Sequence, residues 1–217
     1  MNILSVSLLI CFLSSFTLFG QSSIWEKEIM ALEANDSINT PELGGIVFIG
    51  SSSIRGWRSL SSDFADKNVL NRGFGGSELV DAVNYFDRLV AKYEPKQVVL
   101  YIGENDIASG KCPGVVFNKF KEFAKRMRVQ LPESELLFLS LKPSIARWDK
   151  YPEMEEVNAM VKKYASTRKG VKFIDISTAM LGENGLPKPE FYINDGLHMT
   201  EEGYKLWKTK VTPYLVE

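Results

Sequence analysis

Short apolar runs rich in β-branched residues alternate along this chain with longer stretches in which apolar residues recur at helical spacing. The runs span residues 45–50, 67–71, 97–102, 135–141 and 171–176. The helical stretches span residues 24–35, 78–93, 115–131, 154–168 and 200–215. This alternation predicts an α/β fold, a flavodoxin-like three-layer α/β/α sandwich with a five-stranded, mostly parallel sheet. We expect one domain covering residues 21–217.

The predicted sheet directs attention to the loops that follow its strands. In open parallel sheets, ligands bind at the carboxyl ends of the strands. The segments to inspect are therefore those that follow the five apolar runs, namely residues 51–57, 72–77, 103–106, 142–151 and 177–198.

Three consecutive serines, Ser51, Ser52 and Ser53, follow the first apolar run. A serine at a tight strand-to-helix turn can present its hydroxyl as a nucleophile. Serine is also a preferred helix N-cap, and that structural role remains an alternative. The segment is not a G-x-S-x-G elbow, because Ile54 stands where the second glycine is required.

A glycine-rich loop and an asparagine follow the second and third runs. Residues 73–76 include Gly73, Gly75 and Gly76, which permit close approach of backbone N–H groups to a ligand. The loop lacks both the dinucleotide-binding and the Walker spacing. Asn105 follows the third run, where its carboxamide could donate to an oxyanion or simply form a turn.

His198 is the only histidine in the sequence, and Asp195 precedes it by three positions. Imidazole is the side chain that ordinarily titrates near neutral pH, although an isolated histidine is often merely structural. A serine, backbone donors, an asparagine and an Asp/His pair at the strand ends together supply the groups that acyl transfer requires.

Composition and the N-terminus limit the partners and the compartment. The formal net charge of −1 gives no general attraction to nucleic acid. Residues 1–20 are mostly apolar or small, which predicts a cleaved signal peptide. The protein is therefore expected to be secreted or periplasmic, without a membrane span after cleavage. An uncleaved membrane anchor is the alternative. Cleavage leaves Cys112 as a single cysteine, which excludes an internal disulfide and a Cys/His zinc cluster. The oligomeric state stays open.

Four ordered motifs resemble those of the GDSL, or SGNH, hydrolase family, particularly its small single-domain esterases and acetylhydrolases. Residues 50–53 resemble the Gly-Asp-Ser-Leu block, and residues 71–76 resemble the glycine block. Residues 103–106 match Gly-x-Asn-Asp, and residues 195–198 match Asp-x-x-His. The resemblance extends from Val47 to Tyr204.

The resemblance implies a role for each matching residue. Ser52 would be the nucleophile, His198 the base and Asp195 its partner. The N–H groups of Ser52 and Gly76 and the Asn105 carboxamide would form the oxyanion hole. The family needs neither a metal nor an organic cofactor. One departure is that Ser51 replaces the family's aspartate, which leaves Ser51 and Ser53 as rival nucleophiles.

The substrate is expected to be a small ester, with a short acyl group such as acetyl on a carbohydrate or another polar alcohol. Candidate substrate-binding residues are Arg55, Trp57, Arg72 and Trp148, and further rim candidates are Phe74, Lys142, Arg147 and Tyr151. Each of these has surface packing or ion pairing as an alternative role. An acyltransferase using the same triad, and a non-catalytic glycan-binding module on the same fold, remain alternative functions.

Overall fold

The computed structural model describes residues 24–216, and the predicted signal peptide lies outside these residues. Five parallel strands form one sheet in the order β2-β1-β3-β4-β5. They are β1 (Ile46–Gly50), β2 (Val69–Gly73), β3 (Gln97–Tyr101), β4 (Glu135–Leu139) and β5 (Val171–Ile174). The order places β3 at the centre with β1 beside it, so the loops that follow these two strands lie next to each other at one edge of the sheet.

The described residues contain nine α-helices. They are α1 (Glu26–Ile38), α2 (Ser52–Arg55), α3 (Leu60–Asp63), α4 (Leu79–Asn84), α5 (Phe86–Leu89), α6 (Glu104–Ala108), α7 (Pro113–Gln130), α8 (Tyr151–Ala165) and α9 (Glu201–Val211). Short 3-10 segments cover Ala91–Tyr93, Ile145–Lys150, Thr178–Met180, Pro189–Phe191 and Thr212–Tyr214. The predicted α/β/α sandwich with a parallel sheet is confirmed.

Aromatic side chains fill both faces of the sheet. On one face, Trp57 packs against Phe48 of β1 and against Trp207 of α9, with ring centroids 5.8 and 6.0 Å apart. On the other face, Phe120 of α7 packs against Phe138 of β4 at 5.2 Å. Because alternate residues of a strand point to opposite faces, these contacts lie on the two sides of one sheet, which makes the architecture three layers.

Two predicted helices differ clearly from the structure. The helix predicted to end at Asn35 continues to Ile38, and Asp36 within it pairs with Arg72 and Tyr93. These tertiary contacts override the polar residues that favour a helix end there. The predicted single helix over residues 78–93 is wrong, since the chain breaks at Tyr85 into α4, α5 and a 3-10 segment.

Candidate active site

The three serines at the end of β1 point in different directions. Ser52 Oγ lies 3.0 Å from His198 Nε2. Ser51 caps α2, its Oγ accepting the Ser52 N–H at 2.6 Å. Ser53 is buried, and its carbonyl accepts a hydrogen bond from the Tyr204 hydroxyl. Of the three, Ser52 is therefore the one placed to give its proton to the imidazole.

A tight turn holds Asp195 and His198 together. Asp195 Oδ2 lies 2.6 Å from His198 Nδ1, and Asp195 Oδ1 accepts the N–H groups of Leu197 and His198. Gly196 has a φ of +65°, a conformation that L side chains rarely adopt, and a Cβ there would approach Ile145 within 3.1 Å. The turn thus fixes the carboxylate against the imidazole through bonds that span only four residues.

The turn also keeps Asp195 ionised. Partial burial by itself raises the pKa of this carboxyl. The hydrogen bonds from the His198 ring and from the N–H groups of Leu197 and His198 outweigh burial and lower the pKa to about 2. A carboxylate at this position holds the imidazole tautomer with hydrogen on Nδ1 and leaves Nε2 free to accept the Ser52 proton.

Asn105, at the start of α6, links the ends of three strands. Its Nδ2 donates to Ser51 Oγ at 2.7 Å and to the Ser77 carbonyl at 2.9 Å. The Ser52 N–H also donates to Ser51 Oγ. Two of the expected oxyanion donors therefore converge on a single oxygen atom next to Ser52.

The glycine loop after β2 lies beside this cluster. Asn71 ties it to the serine turn, because its Nδ2 donates to the Ile54 carbonyl at 2.7 Å while its Oδ1 accepts the Gly73 N–H at 2.9 Å. Gly76 has a φ of +75°, and a Cβ there would lie 3.0 Å from the Trp25 ring. Within residues 24–216 no hydrogen-bond partner is found for the Gly76 N–H. The loop thus leaves the Gly76 N–H, one residue before Ser77, as a backbone donor for a ligand.

A buried charged cluster lies under Asn105. Glu104 accepts from Lys142 Nζ and from the Tyr101 hydroxyl, both at 2.7 Å, and from Ser144 Oγ at 3.2 Å. Arg147 Nη1 lies 3.7 Å from Glu104 Oε1 and donates to Asn105 Oδ1 at 3.0 Å. Burial alone would raise the pKa of Glu104, but the charge of Lys142 lowers it, so the carboxylate stays charged. Burial also lowers the pKa of Lys142 against the opposing pull of Glu104.

The sequence did not indicate this cluster. Glu104 occupies the variable position of the Gly-x-Asn-Asp block, where nothing in one sequence marks it as functional. Lys142 and Arg147 were expected at the rim. The prediction for Lys142 is wrong, because its side chain is 0% exposed and paired with Glu104. The apolar neighbours that bury Lys142 are brought together only by the fold.

Several predicted rim residues are inaccessible to a substrate. The prediction for Trp57 is wrong, because the ring is 1% exposed and packs in the core. The prediction for Arg72 is wrong as well, since it is 3% exposed and pairs with Asp36 of α1. Phe74 and Tyr151 are likewise buried. Trp148 is half-buried and stacks on Tyr151 with centroids 5.1 Å apart.

An open groove of about 960 Å³ begins at Ser52 and His198. Arg55 lines it, as predicted from its position after β1, and is held by Glu28 of α1 at 3.3 Å. The other lining residues are mostly polar or charged: Gly56, Arg58, Ser59, Asp63, Ile193, Met199, Glu201, Tyr204 and Lys205. The groove is therefore wide and accessible to solvent, and both charged and apolar groups line it.

The chain belongs to the GDSL-like lipase/acylhydrolase family, whose model matches residues 46–206. The match includes the serine turn, the glycine loop, Asn105 and the Asp195–His198 turn. Membership makes the protein an enzyme, a hydrolase of ester substrates. No protein of curated function matches the sequence significantly.

Solved structures share this fold at low sequence identity. A candidate platelet activating factor from Streptococcus pneumoniae is 22% identical, with a TM-score of 0.79 over 88% of this chain and 92% of that one. A GDSL-like lipase from Bacteroides thetaiotaomicron is 22% identical, with a TM-score of 0.75 over 85% and 95% of the two chains. A candidate acylhydrolase from Bacteroides fragilis is 23% identical, with a TM-score of 0.71 over 83% and 92%.

Between residues 24 and 216, no helix has both the length and the apolar character needed to cross a bilayer.

Proposed function

We propose that this ester hydrolase is a serine esterase in which Ser52 is the nucleophile, His198 the general base and Asp195 the carboxylate that orients it. The observation that carries the proposal is the chain of contacts from Ser52 Oγ to His198 Nε2 at 3.0 Å and from His198 Nδ1 to Asp195 Oδ2 at 2.6 Å. Nucleophile, base and orienting group within hydrogen-bond distance are the arrangement that activates a serine hydroxyl.

The reaction then proceeds in two halves. His198 Nε2 takes the Ser52 proton as Oγ bonds to the ester carbonyl carbon, and the imidazolium is stabilised by Asp195. Collapse of the tetrahedral intermediate breaks the bond to the alcohol oxygen, which receives the proton from His198. Water, deprotonated by the same imidazole, then attacks the acyl-enzyme and releases the carboxylic acid and free Ser52.

The oxyanion of each tetrahedral intermediate is assigned to the N–H groups of Ser52 and Gly76 and to the Asn105 carboxamide. In support, the Ser52 and Asn105 donors already converge on one oxygen atom, Ser51 Oγ. The Gly76 N–H precedes Ser77, whose carbonyl also contacts Asn105. In the reaction both donors would turn from Ser51 Oγ to the oxyanion beside Ser52 and stabilise its developing charge.

The substrate class we propose is a short-chain ester, acetyl above all, of a carbohydrate or another polar alcohol. The Trp25 ring lies against Gly76 and limits the space for a long acyl chain beside that oxyanion donor. The wide groove that opens at Ser52 and His198 carries charged and hydroxyl side chains that suit a hydroxyl-rich leaving group. The apolar character of residues 1–20 supports secretion or a periplasmic location for the mature enzyme, which N-terminal sequencing of the secreted protein would test.

An ester screen tests the substrate class. p-Nitrophenyl acetate, butyrate and octanoate, together with acetylated monosaccharides, are assayed with the wild type and with Ser52→Ala. We expect kcat/KM to fall by tenfold or more from acetate to octanoate, with no activity above background for Ser52→Ala. A preference for octanoate would contradict the short acyl group. An alcohol that outcompetes water for the acyl-enzyme would indicate an acyltransferase.

A further inference from the structure

The contact between Arg147 and Asn105 has no place in the three-residue mechanism above. Arg147 Nη1 donates to Asn105 Oδ1 at 3.0 Å. A guanidinium has donors and no acceptor, so the oxygen of the carboxamide must face Arg147 and its NH2 group must face away. The hydrogen bond from Arg147 thereby fixes which side of the Asn105 carboxamide carries the oxygen.

The other end of the carboxamide is fixed independently. The Ser77 carbonyl can only accept, and it lies 2.9 Å from Asn105 Nδ2. With one N–H committed to Ser77, the second is directed to Ser51 Oγ, beside the Ser52 N–H. A flipped carboxamide would set its NH2 against the guanidinium and its oxygen against a carbonyl, which opposes the flip at both ends.

Arg147 is itself held from two sides. Glu104, anchored by the buried Lys142, lies 3.7 Å from its Nη1. The neighbouring Ala146 N–H donates to the Gly196 carbonyl at 3.0 Å, inside the Asp195–His198 turn. The segment carrying Arg147 therefore connects the oxyanion donor with the turn that holds the general base.

The guanidinium of Arg147 places positive charge on the oxygen side of the Asn105 carboxamide. Arg147 and Lys142 both face the carboxylate of Glu104, and Asp195 attracts Lys142 as well. Electrostatic effects are larger in such a buried environment than in water. Charge on the oxygen side of a carboxamide polarises it and strengthens its N–H groups as donors.

Arg147 is not among the residues that line the groove opening at Ser52. A role in substrate binding is therefore less well supported than a role through Asn105. We propose, on the basis of the proposed function, that Arg147 is a positioning residue: it holds the Asn105 carboxamide in the donor orientation and strengthens it toward the oxyanion.

A double-mutant cycle tests this inference on the full-length enzyme with p-nitrophenyl acetate. Arg147→Met removes the charge and the donors but keeps an unbranched side chain, and Asn105→Ala removes the group through which Arg147 acts. We expect Arg147→Met to lower kcat by about 10- to 100-fold with KM within about threefold, a part of what loss of a whole oxyanion donor costs. In the Asn105→Ala background, the same substitution is expected to cost less than about threefold.

Arg126→Met is the matched control, because Arg126 also lies near a carboxylate, Asp87, at 3.6 Å but on the distant helix α7. It should leave kcat unchanged. If Arg147→Met proves unfolded by circular dichroism, the cycle is run with Arg147→Lys, which retains the charge but not the planar fork.

The outcomes separate the inference from the function on which it rests. Losses that multiply in the double variant, or a raised KM with unchanged kcat, would overturn the role of Arg147 and leave the triad standing. Full activity in Asn105→Ala would overturn both the oxyanion assignment and the role of Arg147. Non-additive losses confined to kcat support the inference.

Discussion

Two regions converge on Ser52, and they are built in opposite ways. The exposed arm, residues 195–198, carries His198 and Asp195 with side chains 40% and 43% exposed, held by hydrogen bonds within the turn. The buried arm comprises Asn105, Glu104, Lys142 and Arg147, held by ion pairs between separate segments. In the proposed mechanism the first region exchanges protons with substrate and water, whereas the second holds a hydrogen-bond donor in place.

This difference predicts how each region responds to substitution. Contacts within an exposed turn contribute little to global stability. Removing one partner of a buried ion pair leaves an uncompensated charge and is strongly destabilising. Changes in the exposed arm should therefore affect the reaction rate alone, while changes in the buried arm should affect stability as well.

The largest expected effect is on the rate, in His198→Ala. We expect kcat for p-nitrophenyl acetate to fall by about 10⁴- to 10⁶-fold, because the chain contains no other imidazole to accept the Ser52 proton. The thermal midpoint should shift by no more than about 2 °C, as is usual for an exposed side chain. Retained activity would contradict the role of His198, and a large loss of stability would contradict the comparison.

The second effect is on stability, in Glu104→Gln. The substitution leaves Lys142 buried without its carboxylate, which should lower the free energy of unfolding by about 3–5 kcal/mol in urea denaturation. Glu202→Gln is the matched control, since Glu202 pairs with Lys205 on the exposed surface of α9. Loss of that exposed pair should cost much less than loss of the buried Glu104. Equal losses in the two variants would remove the distinction between the arms.

The third effect concerns pH and arises from Asp106, the neighbour of Asn105 in α6. Burial, the largest cause, raises the pKa of Asp106 from 3.8 to about 6. Because the folded protein holds this proton more tightly than the unfolded chain does, the protonated Asp106 contributes its full stability below pH 3.8. That contribution is lost as the pH rises through 6. The advantage of Asp106→Asn over the wild type in free energy of unfolding should therefore grow by about 2 kcal/mol between pH 4 and pH 7.

Urea titrations of both proteins at several pH values measure this difference. Asp195 should contribute little over the same range, because its pKa is lowered to about 2 and it stays ionised in the folded protein. A difference between wild type and Asp106→Asn that does not change with pH would contradict the burial argument.

The smallest effect is expected for Ser51→Ala. Ser51 Oγ contacts Asn105 and the Ser52 N–H but has no contact with His198, and Asn105 keeps Arg147 and Ser77 as partners. Activity should stay within about tenfold of the wild type, and loss of the N-cap should cost about 1 kcal/mol. Initial rates and urea denaturation measure both; a loss as large as that of His198→Ala would make Ser51 part of the chemistry.

The sequence predicted the exposed arm better than the buried one, for a physical reason. The strands are marked by local apolar runs, and an Asp-x-x-His turn is also a local pattern. Both can therefore be predicted from a single sequence. The burial of Trp57, Arg72 and Lys142 depends on helices α9, α1 and α6, which lie far away in the sequence. The sequence alone does not separate the charged and aromatic residues that line the groove from those that are buried, because this depends on which helices pack over them.

The central claim is that Ser52, among three adjacent serines, is the nucleophile. The most direct measurement is labelling with a fluorophosphonate probe, followed by mass spectrometry of the peptide that contains residues 51–53. The account predicts one phosphonyl group on Ser52, absent in Ser52→Ala and in His198→Ala and retained in Ser51→Ala. A label on Ser51 or Ser53, or an unlabelled wild-type enzyme that still hydrolyses esters, would contradict it.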